Sequence, residues 1–96
     1  MTYVHISTSP GMGVDDYRRV TDAIGDEPIH GQIAHFVGQE NGSLHIVDVW
    51  TTKAAADRFA AERLFPAFEQ TRTRMAPNAS FVSFTADVER QSGVAQ

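Results

Sequence analysis

The chain has 96 residues, a formal net charge of −4 and no cysteine. A chain of this length forms one domain with a modest core, so association with a second copy is a common source of stability. The negative charge argues against nucleic acid as a partner, and the lack of cysteine excludes disulfides and thiolate sites. The opening residues MTYVHISTSPG do not form a signal peptide, and no apolar run is long enough to span a bilayer. We therefore expect a cytoplasmic protein without a membrane partner.

Hydrophobic periodicity and turn residues predict four strands and two helices. The first strand (3–7) ends at Ser9-Pro10-Gly11, and a helix with Asp15 and Asp16 in its first turn closes at Gly25. A second helix is capped by Thr51 or Thr52 and is broken or restarted at Pro66. The remaining strands are predicted at 32–38, 43–50 and 80–88. We expect residues 1–87 to form the domain and residues 88–96 a mobile tail.

The predicted order is β-α-β-β-α-β, the ferredoxin-like α+β arrangement. Two helices then cover one face of a four-stranded antiparallel sheet. The uncovered face would be polar in a monomer. Val4 and Ile6 alternate with Tyr3, and Val82 and Phe84 alternate with Phe81, so apolar or aromatic side chains lie on both faces. We therefore expect a homodimer in which two sheets pack face to face.

The Asn41-Gly42 pair predicts a two-residue hairpin turn, because a type I′ turn needs positive φ at both central residues. Counting outward from this turn places His35 opposite Asp48, Ile33 opposite Trp50, and Val37 opposite Ile46. Side chains alternate along a strand, so all six lie on one face of the hairpin. His45 falls on the opposite face.

His35 and Asp48 are the candidate catalytic pair. Opposed side chains in a sheet have Cβ atoms ~5 Å apart, so the two can form a hydrogen bond. A carboxylate fixes the tautomer of a neighbouring imidazole, as a general acid or base requires. The alternative is that the two side chains satisfy each other structurally without any catalytic role. The candidate substrate-binding residues are Ile33, Val37, Ile46 and Trp50 beside this pair, with His5 and the hydroxyl of Tyr17 as further candidates.

No motif indicates a metal or a cofactor. The four histidines show neither an HxH nor an HExxH spacing, and the GMG at 11–13 lacks the third glycine of a dinucleotide-binding turn. We accordingly expect neither a metal nor a cofactor.

The run HIVDVWTTKAAADRFAAERLFPAF resembles the third strand and second helix of the dimeric α+β barrel superfamily. In antibiotic biosynthesis monooxygenase-like domains, this region reads as an apolar strand, a tryptophan, a helix cap and an aromatic residue. Here Val47–Val49, Trp50, Thr51-Thr52 and Phe59 supply these features. The resemblance extends over residues 3–86 and also includes the strand GQIAHFVG, as in small uncharacterised members of this group.

The resemblance implies a homodimer with a pocket between helices and sheet in each subunit. Members include cofactor-independent monooxygenases acting on aromatic polyketides, haem-degrading enzymes, polyketide cyclases, isomerases and proteins of no known activity. The haem-degrading members carry their ligating histidine on the second helix, where this chain has none. The cyclase-type histidines would match His5 and His45, but the accompanying helix Tyr/His pair is absent. Neither of these two chemistries is carried over.

Three functions follow from the residues and the resemblance. The first is a small cofactor-independent enzyme acting on an aromatic or polyketide-like molecule, with His35 and Asp48 moving a proton. The second is a non-catalytic dimer that binds a small apolar ligand or serves as an accessory subunit. The third is haem binding through His5 or His35.

Overall fold

The computed structural model describes residues 1–90 and contains four strands and a helical layer. The strands are β1 (Tyr3–Pro10), β2 (Gln32–Glu40), β3 (Ser43–Trp50) and β4 (Ser80–Thr85), and the helices are α1 (Val14–Ile24), α2 (Lys53–Phe59) and α3 (Phe65–Thr71). All strand pairs are antiparallel, in the order β2-β3-β1-β4. The predicted ferredoxin-like α+β arrangement is therefore confirmed.

A single turn of π-helix, Ala60–Leu64, joins α2 to α3. Thr52 caps α2 by accepting a hydrogen bond from the backbone N–H of Ala55 at 3.1 Å. Pro66 lies at the start of α3, directly after the π-helical turn. The predicted second helix is thus present, and its interruption precedes the proline.

The two faces of the sheet differ in what covers them. We call the side beneath the helices the cavity face; it carries His5 and Ser7 of β1 and Leu44 of β3. The other side, the outer face, carries the residues between them. Across it runs an apolar row formed by side chains in register on the four strands: Phe36, Val47, Ile6 and Val82.

The buried core is small. Within residues 1–90, the buried hydrophobic residues are Val20, Leu44, Trp50 and Ala67, all between the sheet and the helices. None of the helices in this part of the chain combines the length and the apolar character that a membrane crossing requires.

The N-terminus of α1 is held by side chains rather than by its own cap residue, which is Gly13. Asp16 accepts a hydrogen bond from the Gly13 backbone N–H at 2.9 Å, and Gln39 of β2 accepts one from Val14 at 3.0 Å. The Gly13 N–H, and next the Arg19 guanidinium at 2.9 Å, lower the pKa of Asp16 below its ordinary value. These bonds tie α1 to the sheet.

The last of the described residues lie against the beginning of the chain. Glu89 accepts a hydrogen bond from the backbone N–H of Thr2 at 3.3 Å. Residues 91–96 lie outside the described residues, so the domain boundary at 87 and the mobility of the tail at 88–96 stay predictions.

We expect Asp16→Ala to lower the free energy of unfolding by about 1 kcal/mol at pH 7, because it removes the acceptor for Gly13 and the charge at the helix start. The folded-state pKa of Asp16 is lowered, so its stabilisation is fully present above the ordinary value of 3.8. It is lost as the pH falls through the folded value. Urea denaturation at pH 7 and pH 2.5 should show the gap between the proteins narrowing in acid. Asp15→Ala is the control, and an equal loss there would contradict the assignment.

Gly31 lies where the chain entering β2 meets the start of α2. A Cβ there would lie 2.5 Å from the Ala55 Cβ, and φ is +85°. We expect Gly31→Ala to cost about 2–4 kcal/mol in urea denaturation, through collision and backbone strain together. Gly11 has φ +84°, and a Cβ added there would have nothing within 4 Å. Gly11→Ala therefore measures the cost of backbone strain without a collision. Equal losses in the two variants would show that the collision is relieved.

Candidate functional site

A cavity of about 420 Å³ lies between the sheet and the helices. Its wall is mainly apolar, with side chains from both layers: Val20, Ile24, Leu44, Ile46, Phe59 and Phe68. Tyr17 and Ile24 lie on the same face of α1, and this face supplies one side of the cavity. The cavity is large enough for an aromatic molecule of several rings.

Polar side chains form a continuous hydrogen-bonded chain on the wall of this cavity. His35 of β2 binds the Asp48 carboxylate of β3 through Nδ1, and the pair is opposed in register as predicted. The Tyr17 hydroxyl lies 2.6 Å from His35 Nε2, and the Gln32 amide donates to Asp48 Oδ1 at 3.3 Å. We call this set, Tyr17–His35–Asp48–Gln32, the polar relay.

The partners in the polar relay determine which nitrogen of His35 carries hydrogen. An ionised carboxylate can only accept hydrogen bonds, so His35 Nδ1 donates to Asp48. Nε2 is then the acceptor, and the Tyr17 hydroxyl donates to it. Asp48 is 16% exposed and His35 is 31% exposed, so the pair is partly shielded from water while the imidazole stays accessible. The arrangement gives a basic nitrogen with a fixed orientation.

Tyr17 is positioned by packing as well as by its hydroxyl. Its ring stacks on His35 with centroids 5.6 Å apart and an interplanar angle of 26°. Tyr17 was predicted as a ligand donor, and the structure places it on the cavity wall and also on the imidazole. Its pairing with His35 could not be read from the sequence, because the contact joins a helix and a strand whose relative position comes from packing.

The register prediction fails at Ile33. A β-bulge between Gln32 and Ala34 leaves Ile33 unpaired, and Gln32 rather than Ile33 lies opposite Trp50. Ile33 is 51% exposed and does not line the cavity. The bulge lies beyond His35 as counted from the turn, so the pairing of His35 with Asp48 is preserved. It also brings Gln32 onto the cavity face, a position that the register counted from the turn does not predict.

The other candidate residues are divided between the cavity wall and the layer around it. Ile46 and His5 line the cavity. Val37 lies opposite Ile46 as predicted but is half-buried outside the lining. Trp50 is 2% exposed and lies behind the wall, with its ring 5.4 Å from that of Phe59. Trp50 therefore supports a lining residue instead of contacting the cavity itself.

His5 continues the polar row across the sheet. It is opposed to Asp48 on one side and to Ser83 on the other. Its Nδ1 lies 2.7 Å from the Ser83 hydroxyl, and its ring stacks on Phe81. The cavity face thus carries histidines on both sides of Asp48, whereas the neighbouring row on the outer face is apolar.

The histidines differ in how far their ring nitrogens are engaged by neighbouring side chains. Within residues 1–90, no three His, Asp or Glu side chains are arranged to hold a metal ion. Both ring nitrogens of His35 are engaged, by Asp48 and Tyr17. His45 lies on the outer face, where its Nδ1 is 3.3 Å from the Thr8 hydroxyl.

No family model and no curated protein matches the chain. Solved structures do match its fold. Rv0793 from Mycobacterium tuberculosis superposes with a TM-score of 0.70 at 12% identity, covering 95% of this chain and 100% of that one. A variant of SnoaB, described as a cofactor-independent oxygenase from Streptomyces nogalater, gives 0.65 at 18% identity, with coverages of 92% and 95%. A candidate antibiotic biosynthesis monooxygenase from Caulobacter crescentus gives 0.70 at 11% identity, with coverages of 92% and 91%. The chain has the fold of antibiotic biosynthesis monooxygenase-like proteins.

Proposed function

We propose that the protein is a cofactor-independent enzyme that removes a proton from an aromatic or polyketide-like molecule held in the cavity. The observation that carries the proposal is the polar relay on the wall of a mainly apolar cavity. Proton transfer is favoured by a fixed base, a carboxylate that stabilises the charged form of that base, and a site partly shielded from water. The fold shared with a cofactor-independent oxygenase supports this interpretation.

In the proposed step, a phenolic O–H or an activated C–H gives its proton to the Tyr17 oxygen as Tyr17 passes its own hydroxyl proton to His35 Nε2. The electron pair stays on the substrate as a phenolate or carbanion. Asp48 stabilises the imidazolium through Nδ1, and Gln32 holds the Asp48 carboxylate in place. The substrate anion is the species that isomerises, cyclises or reacts with oxygen.

We propose further that two copies associate through their outer faces. Phe36 on one edge strand is 62% exposed, and Phe84 on the other is 46% exposed. Together with Val82 and the half-buried Ile6 and Val47 between them, they form an apolar surface across the whole sheet. A monomer would leave this surface in water, and a second copy offers a matching one.

The proton-transfer proposal predicts hydrogen–deuterium exchange. In D2O, the protein should accelerate deuterium uptake at the acidic C–H of anthrone or 2-tetralone. NMR measures this uptake. His35→Gln should reduce this acceleration by about 10²–10⁴-fold, the range for general bases, and Asp48→Asn by at least about tenfold. His45→Gln, on the opposite face, is the matched control. Wild-type rates in the His35 variant would support the non-catalytic alternative, in which the cavity only binds a ligand.

The association proposal predicts a mass twice that of the 10.6 kDa chain in light scattering. Phe36→Asp should shift the protein to the monomer, because it places a charge within the proposed apolar contact. Val88 is 80% exposed but follows β4, so Val88→Asp is the control and should leave the dimer intact. A monomeric wild type would contradict the proposal.

A further inference from the structure

The cavity opens to the surface beside the end of α3. Four residues line both the cavity and an outer groove of about 700 Å³: Phe65, Phe68, Thr73 and Arg74. We call these four residues the mouth. Arg72 and Glu69 line the groove but not the cavity. A ligand longer than the cavity would extend past the mouth into this groove.

Arg74 is the charged side chain at the mouth. The carboxylates that line the cavity are already engaged, since Asp16 binds Arg19 and Asp48 binds His35 and Gln32. Within residues 1–90, the Arg74 side chain forms no ion pair and no hydrogen bond, including with nearby Glu69. A guanidinium is always charged and presents a planar set of donors that fits an oxyanion.

The net charge of the whole molecule bears on the role of Arg74 in ligand binding. A formal net charge of −4 repels anions at long range, so an anionic ligand needs a local cation at the point of entry. Arg74 lies at that point, between an apolar cavity and water. The polar relay lies deeper on the same cavity wall and can act on a different part of the same ligand.

We propose that the ligand is an aromatic carboxylic acid, whose rings fill the cavity and whose carboxylate is bound by Arg74 at the mouth. The inference rests on the proposed function in taking the cavity as the substrate site, and it adds the class of substrate. Arg74 then determines specificity, since it binds a group that takes no part in the proton transfer. Arg72 has αL backbone geometry with φ 55° and stays outside the cavity lining.

The test compares 2-naphthoic acid with 2-naphthalenemethanol, two probes that share the same rings and differ in the carboxylate. Binding is followed by the emission of Trp50, the single tryptophan, which packs on the lining residue Phe59. We expect the wild type to bind the acid about tenfold more tightly than the alcohol. Arg74→Gln should remove this preference while leaving the affinity for the alcohol unchanged. Arg72→Gln is the matched control and should keep it.

Two results would overturn the inference: equal affinity of the wild type for both probes, or a preference for the acid that survives Arg74→Gln. A failure of the proposed function is detected by a separate measurement, deuterium exchange. His35→Gln should keep the preference for the acid over the alcohol and reduce the acceleration of deuterium exchange by about 10²–10⁴-fold. Binding of neither probe would count against the cavity as a substrate site, and so against both proposals. If the wild type preferred the acid but showed no exchange activity, only the proposed enzymatic function would be contradicted.

Discussion

The register between β2 and β3 is the constraint on which the rest of the site depends. Asn41 and Gly42 have φ of 53° and 75°, the positive pair that a type I′ turn requires. The Gly42 carbonyl also accepts a hydrogen bond from Gly11 at 2.8 Å, which ties the turn to the end of β1. A slip of one residue would move His35 to the outer face and separate it from Asp48. The turn therefore controls both the polarity of the sheet faces and the position of the base.

Adjacent rows of the same sheet have opposite characters. The row through His35, Asp48, His5 and Ser83 is polar and faces the helices, whereas the row one residue along is apolar and faces away. In most small domains, the apolar side of a sheet lies beneath its helices. Here the helices cover a polar row set among apolar side chains, and the space between the layers is a cavity. A cavity of this kind lowers stability, which is consistent with a small core and with a functional use for the space.

Much of this architecture could be predicted from local signals in the sequence. The order of elements follows from periodicity and turn residues, and the opposition of His35 and Asp48 follows from the turn between them. The bulge at Ile33 could not be predicted, because neither Gly nor Pro occurs among the residues that form it, Gln32 to Ala34. The same is true of the Tyr17 hydrogen bond to His35 and of Arg74 at the mouth. Both depend on how the helices pack on the sheet, and packing of that kind is decided by contacts far apart in sequence.

The π-helical turn at Ala60–Leu64 has a geometric consequence for the cavity. In an α-helix at ~100° per residue, Phe59 and Leu64 would point about 140° apart. The wider i→i+5 turn brings both onto the cavity wall, with Phe65 and Phe68 following in α3. Removing one residue from this turn would restore the α-helical phase and rotate Phe65 and Phe68 relative to the sheet. The shape of the cavity can therefore change through the length of the helical segment while every lining residue keeps its identity.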